Sequence, residues 1–279
     1  MSVKIIIDST ADLMPAVKAR TKVVPLTVHF GDEEYIDGVT ISHREFYEKL
    51  VETDVMPRTS QANPDAFARA FEEVTAAGDS AVAIVISSKL SGTCQSAMIA
   101  AADYDNVYVV DSGTGAIGAG ILTEYALQLA DQGMDAKAIA QILEGEKKRI
   151  KIVAMVDTLE YLYKGGRLSK TAAIAGGILN IKPVLAIDDG EIKVLGKARG
   201  SKQGNNFLIS EIEKAGGVDF ERPVLLGYTG LSNATLVKYM EDSKAIWADS
   251  RSALNYTIIG SVIGTHAGPG AIAVAFFSK

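Results

Sequence analysis

Four short segments of this 279-residue chain collect residue types able to hold or move charge: Asp8-Ser9-Thr10, Arg58-Thr59-Ser60-Gln61, Ser87-Ser88-Lys89-Leu90-Ser91-Gly92-Thr93 and Gly264-Thr265-His266-Ala267-Gly268-Pro269-Gly270. Each ends a strand-like run or crosses a loop, and parallel α/β sheets collect ligands at such strand ends. In the third segment Ser91, Gly92 and Thr93 open a helix, where free amides and hydroxyls suit a carboxylate or a phosphate; the same residues also suit a plain helix cap. Thr59 and Ser60 follow Pro57 in what reads as a loop entering a helix, where either hydroxyl could cap or reach a ligand. His266 lies among glycines just before the last strand, a flexible setting from which an imidazole can donate to a carboxylate without a metal. Asp8 reads as shaping its own loop, and His29 and His43 as structural.

Several chemistries are missing. There is no Gly-x-Ser-x-Gly elbow, no phosphate-binding Walker loop, no Gly-x-Gly-x-x-Gly after the first strand and no metal-spaced histidine pair. No catalytic residue, metal or cofactor is therefore expected. Gly113-Thr114-Gly115 reads as a close-packed turn. The formal net charge of −6 gives no overall field for nucleic acid. A single cysteine, Cys94, rules out an intramolecular disulfide framework and a cysteine-based zinc site, as in a reducing cytosol. Against this acidic background, basic residues concentrate between Lys164 and Lys202: Lys164, Arg167 and Lys170, then Lys193, Lys197, Arg199 and Lys202. Such a cluster suits a docking face for an acidic partner or transient contact with a membrane surface.

The elements that must position these groups follow from hydropathy. Short Val- and Ile-rich runs at 3–7, 81–86, 107–110 and 152–156 read as buried strands. They alternate with helical periodicity at 11–20, 64–77, 93–102, 116–131 and 136–148, the pattern of a layered α/β fold with a largely parallel sheet. Residues 22–40 read as an inserted hairpin around Gly31-Asp32. A second lobe carries an apolar helix at 172–179, a hairpin around Asp188-Asp189-Gly190, and strands near 224–228 and 271–276. We expect two α/β lobes, 1–157 with a largely parallel sheet and 158–279 with a mixed sheet, and a ligand between them. The uncharged stretch 256–277 contains His-Ala-Gly-Pro-Gly, which would break a membrane helix, so it reads as helix, loop and strand. No cleavable leader opens the chain, and a cytoplasmic location is expected.

In their order along essentially the whole chain, these motifs resemble the DegV family of bacterial fatty-acid-binding proteins, the FakB-like carrier component of fatty acid kinase systems. The resemblance rests on Asp8-Ser9-Thr10-Ala11-Asp12, the Thr59-Ser60 and Ser87-to-Thr93 segments, Asp111-Ser112, Tyr161-Leu162-Tyr163-Lys164-Gly165-Gly166-Arg167, Lys197-Ala198-Arg199 and the His266 segment. It implies two α/β lobes around a tunnel for one long-chain fatty acid. Thr59 or Ser60, Ser91 with Gly92 and Thr93, and His266 would then meet the carboxylate. A separate kinase would phosphorylate that carboxylate to acyl phosphate, docking on a surface that includes Arg167, Arg199 and Lys202. Burying fifteen chain carbons at about 0.8 kcal/mol each gives on the order of 12 kcal/mol before ordering costs, so the tail would dominate affinity.

Two other classes fit parts of the pattern. Ser91, His266 and either Asp8 or Asp111 could form a serine hydrolase or acyl-transfer triad, although the elbow is missing. A lipid-free interaction module would use the basic patch alone.

Overall fold

The computed structural model describes residues 2–169, 180–250 and 253–279. The expected helix at 172–179 and Lys170 lie outside these residues.

The chain begins with β1 (Val3–Asp8), a short α1 (Pro15–Lys18), β2 (Lys22–Val24), β3 (Thr27–Phe30), β4 (Glu33–Ile36), α2 (His43–Glu52) and β5 (Arg58–Ser60). It continues through α3 (Pro64–Ala76), β6 (Ser80–Val85), α4 (Thr93–Ala101), β7 (Val107–Asp111), α5 (Ala116–Asp131), α6 (Ala136–Glu146), β8 (Ile150–Met155) and α7 (Glu160–Lys164). The remaining elements are β9 (Ile181–Asp188), β10 (Glu191–Arg199), α8 (Gly200–Lys214), β11 (Leu225–Tyr228), α9 (Ala234–Asp242), β12 (Tyr256–Ile258), α10 (Ser261–Ala267) and β13 (Ile272–Phe277).

The first sheet has the order β2-β1-β6-β7, and every pairing in it is parallel. Its central strands are apolar on both faces because helices cover both: β6 is buried at every position. The second sheet, β10-β9-β8-β13-β11-β12, is mixed, antiparallel throughout except for β11 with β12. Of the hairpin expected over 22–40, only β3 and β4 form one around Gly31-Asp32; Lys22–Val24 is instead β2 of the first sheet, and β5 pairs with the other edge of β3 to give a third, three-stranded sheet. Thr59 and Ser60 therefore stand on a strand and not in the loop expected for them.

Helix α5 explains how the two larger sheets share one interior. Twelve of its residues are buried, from Ala116 to Leu129, because it packs against β1 and β6 on one side and β8, β11 and β13 on the other. A helix apolar all round is one enclosed between layers. The largest core cluster accordingly mixes Ile5, Ile7 and Ile84 of the first sheet with Ile152, Leu225 and Ala275 of the second.

The expected boundary at 157 meets a difference here. Strand β8, read from sequence as the end of the first lobe, is an interior strand of the second sheet, antiparallel to both β9 and β13. A cut at 157/158 therefore separates neighbouring strands of one sheet. Sequence periodicity identifies a strand but carries no label for its partner. Residues 256–277 form a strand, a seven-residue helix, a turn and a strand, and no helix among the described residues is long and apolar enough to cross a membrane.

Candidate functional site

A cavity of about 410 Å³ lies between the second sheet and α10, β5 and the start of α4. That is within the roughly 300–1,000 Å³ typical of small-molecule sites. Its floor is one face of the second sheet: Ile152, Ala154 and Val156 along one strand, with Ala271 and Ala273 beside them. Registers place Ala154 opposite Ala273, with Leu185 on its other side, so two alanines are cross-strand neighbours on this floor. The space exists because methyl groups stand where larger side chains would reach α10.

The polar groups of the wall are contiguous. Thr59 is held in β5 by its pairing with Val28, and its Oγ1 hydrogen-bonds His266 Nε2 at 2.9 Å. His266 is not in a flexible glycine loop as its sequence setting suggested. It occupies the last turn of α10, and the left-handed turn begins only at Gly268, with φ of 70°. The helix is anchored at its start, where Asp12 Oδ1 accepts from Gly260 N at 2.8 Å and Tyr47 Oη donates to the Ile259 carbonyl at 2.8 Å. Burial pushes the His266 imidazole down to about 4, and the Arg167 guanidinium adds to the shift. The ring is therefore neutral at pH 7, able to donate or accept one hydrogen bond at each nitrogen according to tautomer. Its Nδ1 is buried with no hydrogen-bond partner among the described residues. The ring fits only because residue 165 is glycine: a Cβ there would lie 2.2 Å from Nδ1.

Ser91 lines the cavity with Gly92. Gly92 is the N-cap of α4, so Ser91 is not the cap. Its Oγ instead accepts from Thr93 N at 3.2 Å and bonds Thr93 Oγ1 at 2.9 Å. Thr93, expected to touch ligand, is fully buried and absent from the wall; it supports Ser91 from behind. Ser60 borders the cavity, but it is exposed and its Oγ is paired with His29 Nε2 at 2.9 Å.

Two wall residues were placed elsewhere or overlooked in the sequence. Gln61 lines the cavity and donates through Nε2 to Ser96 Oγ at 2.9 Å; nothing but its place beside Thr59-Ser60 marked it. Arg167, expected on a docking face, turns inward to the wall. Its Nε donates to the Leu90 carbonyl at 3.1 Å and its Nη1 to the Gly165 carbonyl at 2.7 Å. Arg199 and Lys202 are exposed, at the end of β10 and in α8, and line no part of the cavity. Of the other basic residues expected on that face, Lys164 pairs with Glu160 and Lys193 with Asp188.

An open groove shares Leu90, Ser91, Gly92, Arg167 and Ile192 with the cavity and adds Lys89 and Lys193. The polar group of the wall thus lies beside solvent.

A family model described as "Uncharacterised protein, DegV family" matches residues 2–279. This chain belongs to the DegV family. A DegV domain-containing protein of Caldanaerobacter subterraneus subsp. tengcongensis is 40% identical over 265 residues, which cover 92% of this chain and 91% of that protein. Among solved structures, a fatty-acid-binding DegV family protein from Thermus thermophilus is similar with a TM-score of 0.89 and 30% identity, covering 100% of both chains. A stearic acid-binding protein from Eubacterium ventriosum has a TM-score of 0.86 and 28% identity, covering 100% of this chain and 99% of that one.

The hydrolase geometry is not assembled in this DegV chain. A triad needs a carboxylate holding the distal ring nitrogen, but among the described residues His266 Nδ1 has no partner. The Asp8 carboxylate accepts from Thr10 N at 2.8 Å, Thr10 Oγ1 at 2.5 Å and Ile86 N at 2.7 Å. That of Asp111 accepts from Gly113 N at 2.9 Å and Ser88 N at 3.3 Å. Both aspartates fix strand-end loops, the role read for Asp8. Among the described residues no group of three or more His, Cys, Asp or Glu is arranged for a metal ion.

Proposed function

We propose that this DegV protein holds one long-chain fatty acid in the cavity, tail against the second sheet and carboxylate at the Thr59–Ser91–His266 end. There it offers the carboxylate to a separate cytoplasmic kinase that makes acyl phosphate. The observation that carries this reading is the polarity of the cavity: an apolar floor leads to one contiguous group of hydroxyls, imidazole and guanidinium, and that group adjoins the open groove.

The chemistry divides accordingly. The chain itself performs no bond-making step. Removing a tail from water supplies most of the affinity, whereas hydrogen bonds from Thr59, Ser91 and neutral His266, worth about 0.5–1.5 kcal/mol each, set the orientation of the head. Arg167 supplies the positive charge nearest the carboxylate. Because head and tail bind at separate ends, phosphorylation of the head would leave the tail in place. Arg199 and Lys202, both exposed, are the charges offered to the kinase.

Native mass spectrometry of the freshly purified protein, followed by denaturing extraction, tests this reading. A stoichiometric adduct of fatty-acid mass is expected. Protein that is lipid-free and, once stripped, refuses added fatty acid would refute it. Ser91→Ala should lower retention or kinase turnover with the fold intact.

A further inference from the structure

The Ser87-to-Thr93 segment supplies more than Ser91, because its first residue is tied to both of the larger sheets. Ser87 lies just beyond β6, is 1% exposed and does not line the cavity. Its N–H donates to the Thr114 carbonyl at 2.7 Å. Its carbonyl accepts from Leu90 N at 2.9 Å and from Ser91 N at 3.1 Å, closing the turn that carries Ser91 to the cavity wall. The side chain reaches across to the second sheet. Its Oγ donates at 2.9 Å to the carbonyl of Gly190, in the turn between β9 and β10, and accepts from Lys89 N at 3.2 Å. This approach requires glycine at 190, where φ is 76° and a Cβ would lie 2.5 Å from Ser87 Oγ. Lys89 Nζ and Asp189 Oδ2, 2.7 Å apart, join the same two segments at the surface. The Ser91 turn belongs to the first sheet and the cavity floor to the second, so the position of Ser91 Oγ over that floor depends on how these two segments meet.

We infer that Ser87 is a positioning residue for the head group: by fixing the Ser91 turn against the β9–β10 hairpin, it aims the Ser91 hydroxyl at a ligand carboxylate that Ser87 itself does not touch. The inference rests on the fatty-acid reading above and extends it to a residue outside the cavity wall. Ser87→Ala removes the tie to Gly190 and leaves that carbonyl without its donor, yet it changes no side chain that lines the cavity. Carboxylate recognition should weaken, while burial of the tail, which supplies most of the affinity, stays nearly as it was.

The test uses two ligands that differ only at the head, palmitic acid and hexadecanol, offered together in equal amounts to stripped protein; both are then extracted, and the ratio of acid to alcohol retained is the readout. A hydrogen bond to a charged group is worth about tenfold in binding, so the ratio should fall about tenfold in Ser91→Ala and by roughly the same factor in Ser87→Ala. Because both changes act on one contact, Ser87→Ala/Ser91→Ala should be no lower than Ser91→Ala alone. Ser87→Cys keeps most of the side-chain volume but donates weakly; its ratio should fall in the same direction, and it decides the matter if Ser87→Ala does not fold. A wild-type ratio in the Ser87 variants, equal losses of acid and alcohol, losses that multiply in the double variant, or an unchanged ratio in Ser91→Ala would each overturn the inference and leave fatty-acid binding standing. A wild type that retains neither ligand would remove both.

Discussion

The two faces of the second sheet use the same strands for opposite ends. Odd-numbered positions of β8 and even-numbered positions of β13 place Val153, Met155, Val274 and Phe276 beneath α8 and α9, where with Leu208, Leu236 and Tyr239 they form a closed core. The alternate positions divide: Ile152, Ala275 and Phe277 join the core around α5, while Ala154, Ala271 and Ala273 border the cavity on the side of α10. Strand pairing is common to both faces, so where α5 does not cover the second face the difference lies in side-chain volume: large residues close the first face and alanines hold this part of the second open. A well-packed interior has few voids larger than a water molecule, and a face built to leave one is built for an occupant.

The contrast is broken most severely by emptying the packed face. Phe276 is fully buried, and Phe276→Ala should cost about 3–5 kcal/mol in denaturant unfolding. Fatty-acid retention per folded molecule should change little. The reciprocal experiment fills the open face. Ala154→Leu should reduce fatty-acid retention roughly a hundredfold, about 2.7 kcal/mol, while unfolding stability holds or rises, because the new side chain occupies space already present. If Ala154→Leu instead destabilises as a core overpacking does, by about 1–3 kcal/mol, the alanine row is ordinary core and the contrast between the faces fails.

Much of this was readable before the structure. The alternation of Val/Ile runs with helical segments gives the strands; Thr59, Ser60, Ser91, Gly92 and His266 stood out as candidates by residue type, and only the family resemblance joined them into one site. Three things were not readable. The sheet to which 152–156 belongs depends on contacts with Phe277 and Ile187, distant in sequence. The inward turn of Arg167 depends on carbonyls of Leu90 and Gly165 presented by the fold. The cavity itself is signalled by alanines at 154, 271 and 273, which in a strand pattern read as ordinary small core residues until the register sets Ala154 beside Ala273.

The head end differs from the tail end in carrying a titratable group, and pH sharpens that difference. Burial holds the His266 imidazole near 4, against about 6.5 in an unfolded chain. Between these values the unfolded chain binds the proton that the folded one refuses. The stability contributed by keeping His266 neutral is therefore complete above about pH 6.5 and is lost as pH falls toward 4, about 2 kcal/mol of it by pH 5. Comparing stripped wild type with His266→Gln by denaturant unfolding at pH 7 and pH 5 isolates this residue from other buried acids, notably Asp12, whose carboxyl burial pushes well up. Wild type should lose more stability than the variant. Equal losses would mean that the imidazole is wetter than its position between Thr59 and Gly165 implies.

The smallest effect on the molecule belongs to the exposed end of β10. Arg199 lines no part of the cavity, and its backbone NH is held by Gln203 Oε1 at 2.9 Å, so Arg199→Ala should alter unfolding by less than about 0.5 kcal/mol and leave retention unchanged. Its effect should fall on transfer to the kinase, as a several-fold slower rate that weakens with added salt, the behaviour of a rim charge that steers encounter. Arg167→Ala is the counterpart. Because its guanidinium supports the Ser91 loop through Leu90, its loss should lower retention first and transfer only in consequence. Equal loss of retention and transfer in both variants would erase the distinction between a charge that holds the head group and one that meets the partner.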